Sequence, residues 1–124
     1  LNLGHTFGHA SERASGYRVS HGAGVAVGLR AAGLLAMRLG RFSEDGHLRV
    51  LALLALLKLP MRTRELPANV LDAMSADKKR RNGTLRFVLP NTIGDVEYGI
   101  EARPDEVRRV LKQCTQVPGA REFR

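Results

Sequence analysis

Apolar and polar positions along the chain fall mostly into helical periods. His5, His9 and Glu12 recur at steps of four and three between Asn2 and Ser15, the spacing of one helical face, and Gly16 is placed to stop that helix. Ser20 then caps a second helix in which Val25, Leu29, Ala32, Ala36 and Leu39 repeat at four- and three-residue steps before Gly40 ends it. Ser43 caps a third, through Leu57, whose leucines and alanines make nearly every side apolar. A helix of that kind is expected inside a larger body rather than on a surface. Leu59-Pro60 closes it, and Pro67 opens a fourth helix to about Lys79 with Val70, Met74 and Asp77 or Lys78 on one side.

Beyond the turn signal Asn82-Gly83 the period changes to two. Leu85 to Leu89 and Val96 to Tyr98 alternate around a loop from Pro90 to Gly94, which predicts a short antiparallel hairpin. Two strands alone are marginal, so this hairpin must lean on the helices. Pro104-Asp105-Glu106 opens a last helix to about Gln113, with Val107, Val110 and Leu111 inward, and the tail from Pro118 reads as frayed. The fold class is therefore mainly α, a multi-helix domain with a short β-hairpin near residues 85–98. No repeat or second domain boundary is visible, so residues 1–124 form a single unit.

Composition bounds the partners. A chain of 124 residues buries roughly two-thirds of its unfolded surface, enough for a core without metal or disulfide support. The longest apolar run, Val50 to Leu57, has eight residues, against the ~18 of a membrane span, and no charged-then-apolar leader opens the chain. Neither bilayer insertion nor export is expected. Cys114 is alone, which excludes an internal disulfide or all-cysteine zinc site and fits a reducing, cytoplasmic setting. The chain starts Leu1-Asn2-Leu3 without an initiator methionine and reads as cut from something longer.

The local chemistry concentrates in the first 21 residues, which hold three of the four histidines. On a helix, His5 and His9 stack on one face about 5 to 6 Å apart, where they can share a metal or divide work between a metal and a substrate. Gly4 and Gly8 each precede a histidine and cost the helix ~1 kcal/mol apiece, so either a ligand or a packed helix comes close to the backbone there. His21 follows the cap Ser20, and a turn between the helices can return it toward His5 and His9. Two or three imidazoles suit zinc or a similar ion. Spacing alone is equally compatible with ordinary helix-surface histidines. His47, next to Gly46 on another helix, is expected to face solvent.

The net charge of +8 and the run Lys78-Lys79-Arg80-Arg81, followed by Arg86, have three readings: a solvated cluster, a small-anion site, or a nucleic-acid stripe. If Val70 and Met74 face the core, the next position on that line is Lys78, and one inward lysine fits a small anion better than a duplex. Only Phe87 supplies aromatic character nearby, which leaves a single-strand stacking platform thin support.

Leu1 to Ala10, LNLGHTFGHA, closely resembles the LNxGHTxGHA segment of the 3-dehydroquinate synthases, and His21 to Gly28, HGAGVAVG, is similar to their HGEAVAIG. The similarity continues through Asp77-Lys78-Lys79, Gly83, Leu85 to Pro90 and Ile93-Gly94, and so covers most of the chain. The resemblance implies the helical C-terminal domain of a two-domain enzyme whose N-terminal NAD-binding domain is not in this chain. That family converts 3-deoxy-D-arabino-heptulosonate 7-phosphate to 3-dehydroquinate and phosphate in the shikimate pathway, with NAD⁺ and a zinc or cobalt ion. It is a lyase-type cyclisation.

By the same resemblance His5 and His21 are metal ligands, with a glutamate upstream of Leu1 as the third. His9 is the acid/base residue, and imidazole suits proton transfer near neutral pH. Asn2 binds substrate, as does a lysine of the Asp77-Lys78-Lys79 segment; helical phase favours Lys78 and the alignment leaves Lys79 open. The full-length enzyme is expected to be a cytoplasmic homodimer acting on a phosphorylated sugar acid, with no nucleic acid or membrane partner, and the isolated chain inactive. Two departures are plain: Ala23 stands where the family has glutamate, and Gly24 where it has alanine. Loss of that carboxylate weakens orientation of the neighbouring ligand. The rival readings are another sugar-phosphate cyclase, such as a 2-deoxy-scyllo-inosose synthase-like enzyme, and a basic helical nucleic-acid-binding module, which the pI of about 10.8 favours.

Overall fold

A computed structural model describes residues 3–80 and 85–116, with side chains described outside 76–80. The described elements are α1 (His5–Ala14), α2 (His21–Arg38), α3 (Glu44–Leu56), α4 (Pro67–Arg80), β1 (Arg86–Thr92), β2 (Asp95–Glu101) and α5 (Pro104–Gln113). The mainly α class with one antiparallel hairpin agrees with the periodicity. The Asn82-Gly83 turn and the tail from Pro118 lie outside the described residues.

Local chemistry sets the boundaries. Ser20 and Ser43 cap α2 and α3 as expected, their hydroxyls accepting from the N–H of Ala23 at 3.2 Å and of Gly46 at 3.0 Å. α1 starts later than its pattern predicts, because Gly4 takes φ 76°, a left-handed conformation that no helix interior accommodates. β1 runs through Pro90 to Thr92, into the predicted loop, with register irregularities on either side of Leu89-Pro90 that let the strand carry a residue without an N–H. The loop is thereby reduced to Ile93-Gly94, with Gly94 at φ 92°.

α2 is the central element, packed against α1, α3, α5 and β1. Of the expected stripe, Ala32 and Ala36 are buried, and Val25, Leu29 and Leu39 are only half-buried. The fully buried positions include Ala26, Val27, Ala31, Ala32, Leu35 and Ala36, spread over more than one side. Small side chains allow neighbours to approach α2 from several directions, which a one-sided stripe does not anticipate. As expected, Val70 and Met74 of α4 and Val107, Val110 and Leu111 of α5 are buried. The hairpin leans on α2 and α1: Phe87 stacks on Phe7 with centroids 5.1 Å apart. None of the described helices is long and apolar enough to cross a membrane.

Two expectations fail at α3. Within this chain only Gly46, His47 and Leu54 of the helix are buried, whereas Leu48, Leu53 and Leu56 are more than half exposed. The helix packs chiefly on α2, which leaves these leucines outward. His47, expected to face solvent, is 4% exposed. The absent side chain of Gly33 on α2 makes its place, since a Cβ there would collide with the imidazole Nδ1.

Beneath it, the buried Arg30 donates from Nη1 to the carbonyls of Met61 at 2.9 Å and Gln116 at 2.7 Å, tying α2 to the segment after α3 and to the end of α5. Cys114, fully buried beside it, has its thiol pushed up to about 12 by burial, opposed by Arg30, and is inert as a nucleophile.

Burial, and then the Arg30 charge, lower the pKa of His47. The unfolded chain therefore binds a proton at a pH where the folded chain does not. Stability is complete above the ordinary histidine value of about 6.5 and is lost as pH falls from there toward the lower folded value. Thermal melts should show Tm dropping as pH is lowered through this window, and a His47→Gln chain should show a flatter profile; equal slopes in the two chains would contradict a buried neutral imidazole.

Candidate metal and substrate site

The histidine face is built on a short helix whose other side is its anchor. Phe7, Gly8, Ala10 and Ser11 of α1 are buried, while His5 and His9 are exposed one turn apart. Their rings meet with centroids 3.9 Å apart, tilted by 41°. Glu12 continues the same face one turn further on.

Ser15 makes the return to α2 possible. Its buried hydroxyl donates to the Glu12 carbonyl at 2.8 Å and accepts from Val19 N–H at 3.2 Å, across a turn in which Gly16 and Tyr17 both have positive φ, 66° and 65°. Tyr17 N–H also bonds the Glu12 carbonyl, at 2.8 Å. The chain emerges at Ser20, and His21, first residue of α2, comes back to α1 with Nδ1 3.2 Å from Glu12 Oε2.

Glycines set the distance between the two helices. A Cβ on Gly8 would lie 2.8 Å from the Gly24 carbonyl oxygen, and one on Gly4 would lie 2.7 Å from the Gly28 carbonyl carbon. A Cβ on Gly28 would strike the Gly4 oxygen. The helices thus cross backbone to backbone, which resolves the two readings of Gly4 and Gly8 in favour of close packing.

The structure brings His5 into ring contact with His9, and His21 to Glu12, the residue one turn beyond His9 on α1 for which the spacing suggested no role. Its signal was the three-residue step from His9. Asn2 lies outside the described residues. Lys78 and Lys79 fall in the last turn of α4, where side chains are outside them as well.

Imidazoles at His5 and His21 suit zinc or cobalt chemically. Among the described residues no three His, Cys, Asp or Glu side chains group closely enough to hold a metal, so this pair would need a further donor.

Residues 1–80 match the family described as 3-dehydroquinate synthase C-terminal. The chain belongs to this family. It is 46% identical over 114 residues to the 3-dehydroquinate synthase of Gloeobacter violaceus, covering 90% of this chain and 32% of that protein. With the enzyme of Paracoccus denitrificans it shares 42% over 121 residues, 91% of this chain and 33% of the relative. This 3-dehydroquinate synthase-family chain thus spans about a third of the length of the relatives it matches.

Among solved structures, 2-epi-5-epi-valiolone synthase of Streptomyces hygroscopicus subsp. jinggangensis, with NAD⁺ and Zn²⁺ bound, superposes with a TM-score of 0.80 at 27% identity over 91% of this chain and 32% of that one. A 2-deoxy-scyllo-inosose synthase complexed with carbaglucose-6-phosphate, NAD⁺ and Co²⁺ shares the fold, with a TM-score of 0.77 at 24% identity over 91% of this chain and 33% of the other.

The glycine crossing has a direct test. Gly28→Ala should destabilise the chain by about 2 to 3 kcal/mol, because neither backbone can retreat without moving a helix. Gly22→Ala, where a Cβ meets nothing within 4 Å, should be neutral or slightly stabilising. Denaturant midpoints of the two variants check this, and equal midpoints would contradict the crossing.

Proposed function

We propose that this chain is the C-terminal catalytic part of a 3-dehydroquinate synthase, which converts 3-deoxy-D-arabino-heptulosonate 7-phosphate to 3-dehydroquinate and phosphate in aromatic amino acid biosynthesis. The supporting observation is the face of α1, where His5 and His9 stand in ring contact and Glu12 meets His21, in a chain 46% identical to a synthase of that name. His5 and His21 hold a zinc or cobalt ion together with a glutamate from the remainder of the enzyme, which also carries the NAD site. When bound, the ion supplies Lewis acidity and NAD⁺ a temporary hydride acceptor.

This chain's own groups do the rest. His9, beside His5 on the exposed side of α1, passes a proton to and from the substrate as phosphate leaves. Asn2 and a lysine at 78 or 79 hold the anionic substrate in register, the lysine as a point charge on carboxylate or phosphate. Within this reading the full-length enzyme is a cytoplasmic homodimer, its substrate a small phosphorylated sugar acid and not nucleic acid.

The second reading is a cyclase for a different heptulose phosphate, favoured by the TM-score of 0.80 to the valiolone synthase. The higher identity to the dehydroquinate synthases weighs against it.

A chimera decides between them. Joined to the remaining two-thirds of the Paracoccus denitrificans enzyme in place of its own C-terminal part, this chain should restore NAD⁺- and metal-dependent phosphate release from the heptulosonate phosphate, while the isolated 124 residues should release none. His9→Ala in the chimera should lower kcat by about 10² to 10⁴. A folded, NAD⁺-binding chimera that releases phosphate only from another heptulose phosphate would overturn the first reading in favour of the second.

A further inference from the structure

We propose that Glu12 is the positioning residue for His21, holding the imidazole from α1, and that Gly24 makes room for its carboxylate. The proposal rests on the reading of His21 as a metal ligand.

An imidazole that ligates through one nitrogen needs its other N–H held by an acceptor, which fixes tautomer and ring plane together. Glu12 Oε2 lies 3.2 Å from His21 Nδ1, so the bond keeps the proton on Nδ1 and leaves Nε2 with its lone pair. Burial divides the two roles. The Glu12 side chain is 12% exposed and that of His21 68% exposed, so the acceptor is the sheltered member and the imidazole the outward one.

Glu12 is also held at its backbone. Its carbonyl receives both the Ser15 hydroxyl and the Tyr17 N–H, each at 2.8 Å, fixing the point from which its side chain departs.

Gly24 supplies the second, independent observation. A Cβ at this position would lie 3.0 Å from Glu12 Cγ and 3.1 Å from Oε2, tighter than ordinary van der Waals contact. The carboxylate therefore lies across the bare backbone of α2 where an alanine methyl would press on it. Gly24 also faces the Gly8 carbonyl, with its Cβ position 3.2 Å from that oxygen. A substitution at 24 would thus disturb the helix crossing too, and the test is made at position 12.

Nitrogen-detected NMR of the 124-residue chain at mildly alkaline pH reads the tautomer of His21 directly, and titration of the metal-free chimera, which carries the remaining ligand, with Co²⁺ alone, followed by visible absorption, reads metal affinity. The wild type should show His21 protonated on Nδ1. Glu12→Ala should mix the tautomers and weaken Co²⁺ binding about 10- to 100-fold. Glu12→Gln, which preserves side-chain volume, should also weaken Co²⁺ binding and serves if the alanine variant folds poorly.

An unchanged tautomer in Glu12→Ala, or wild-type Co²⁺ affinity in both position-12 variants, would overturn the proposal. A His21→Ala chain binding Co²⁺ as tightly as wild type would instead overturn the ligand reading itself, a distinguishable result because the tautomer measurement uses no metal.

Discussion

The contact of α1 with α2 at Gly4, Gly8, Gly24 and Gly28 is the constraint on which the site depends. Gly8, Gly24 and Gly28 cost helix propensity, yet with Gly4 they allow two backbones to approach to where side chains would otherwise stand. The consequence is chemical as well as mechanical. With the inner side of α1 pressed on α2, its outer side must carry His5 and His9, while Glu12 lies at the edge of the contact against Gly24, where His21 begins α2.

The same economy of side chains explains why α2 can be central. Alanines and glycines leave it thin, so α1, α3, α5 and β1 all reach it. Two polar groups enter that space. Arg30 is accommodated because carbonyls of Met61 and Gln116 meet its guanidinium, and His47 because Gly33 leaves a recess for its ring. Each group is buried through a tertiary fit and not through its own hydropathy.

Family membership and the departures from the family's pattern meet at the start of α2. Ala23 changes the third residue of α2, while Glu12 on α1 brings a carboxylate within 3.2 Å of the His21 imidazole. Orientation of a metal-binding histidine requires an acceptor at the right atom and does not require it from a fixed sequence position.

Much of this was legible in the chain itself. Ser20, Ser43 and Pro104 mark helix starts through interactions confined to a few neighbouring residues, and the period-two segments after Leu85 give the hairpin for the same reason. Helical spacing also set His5 and His9 on one face. The meeting of His21 with Glu12, the burial of His47, the interior place of Arg30 and the exposure of the α3 leucines were decided only in three dimensions. Each depends on which element arrives opposite, at what distance, and on whether that element offers a side chain or the bare backbone of a glycine. Periodicity along one helix records its own faces and carries no information about what stands across from them.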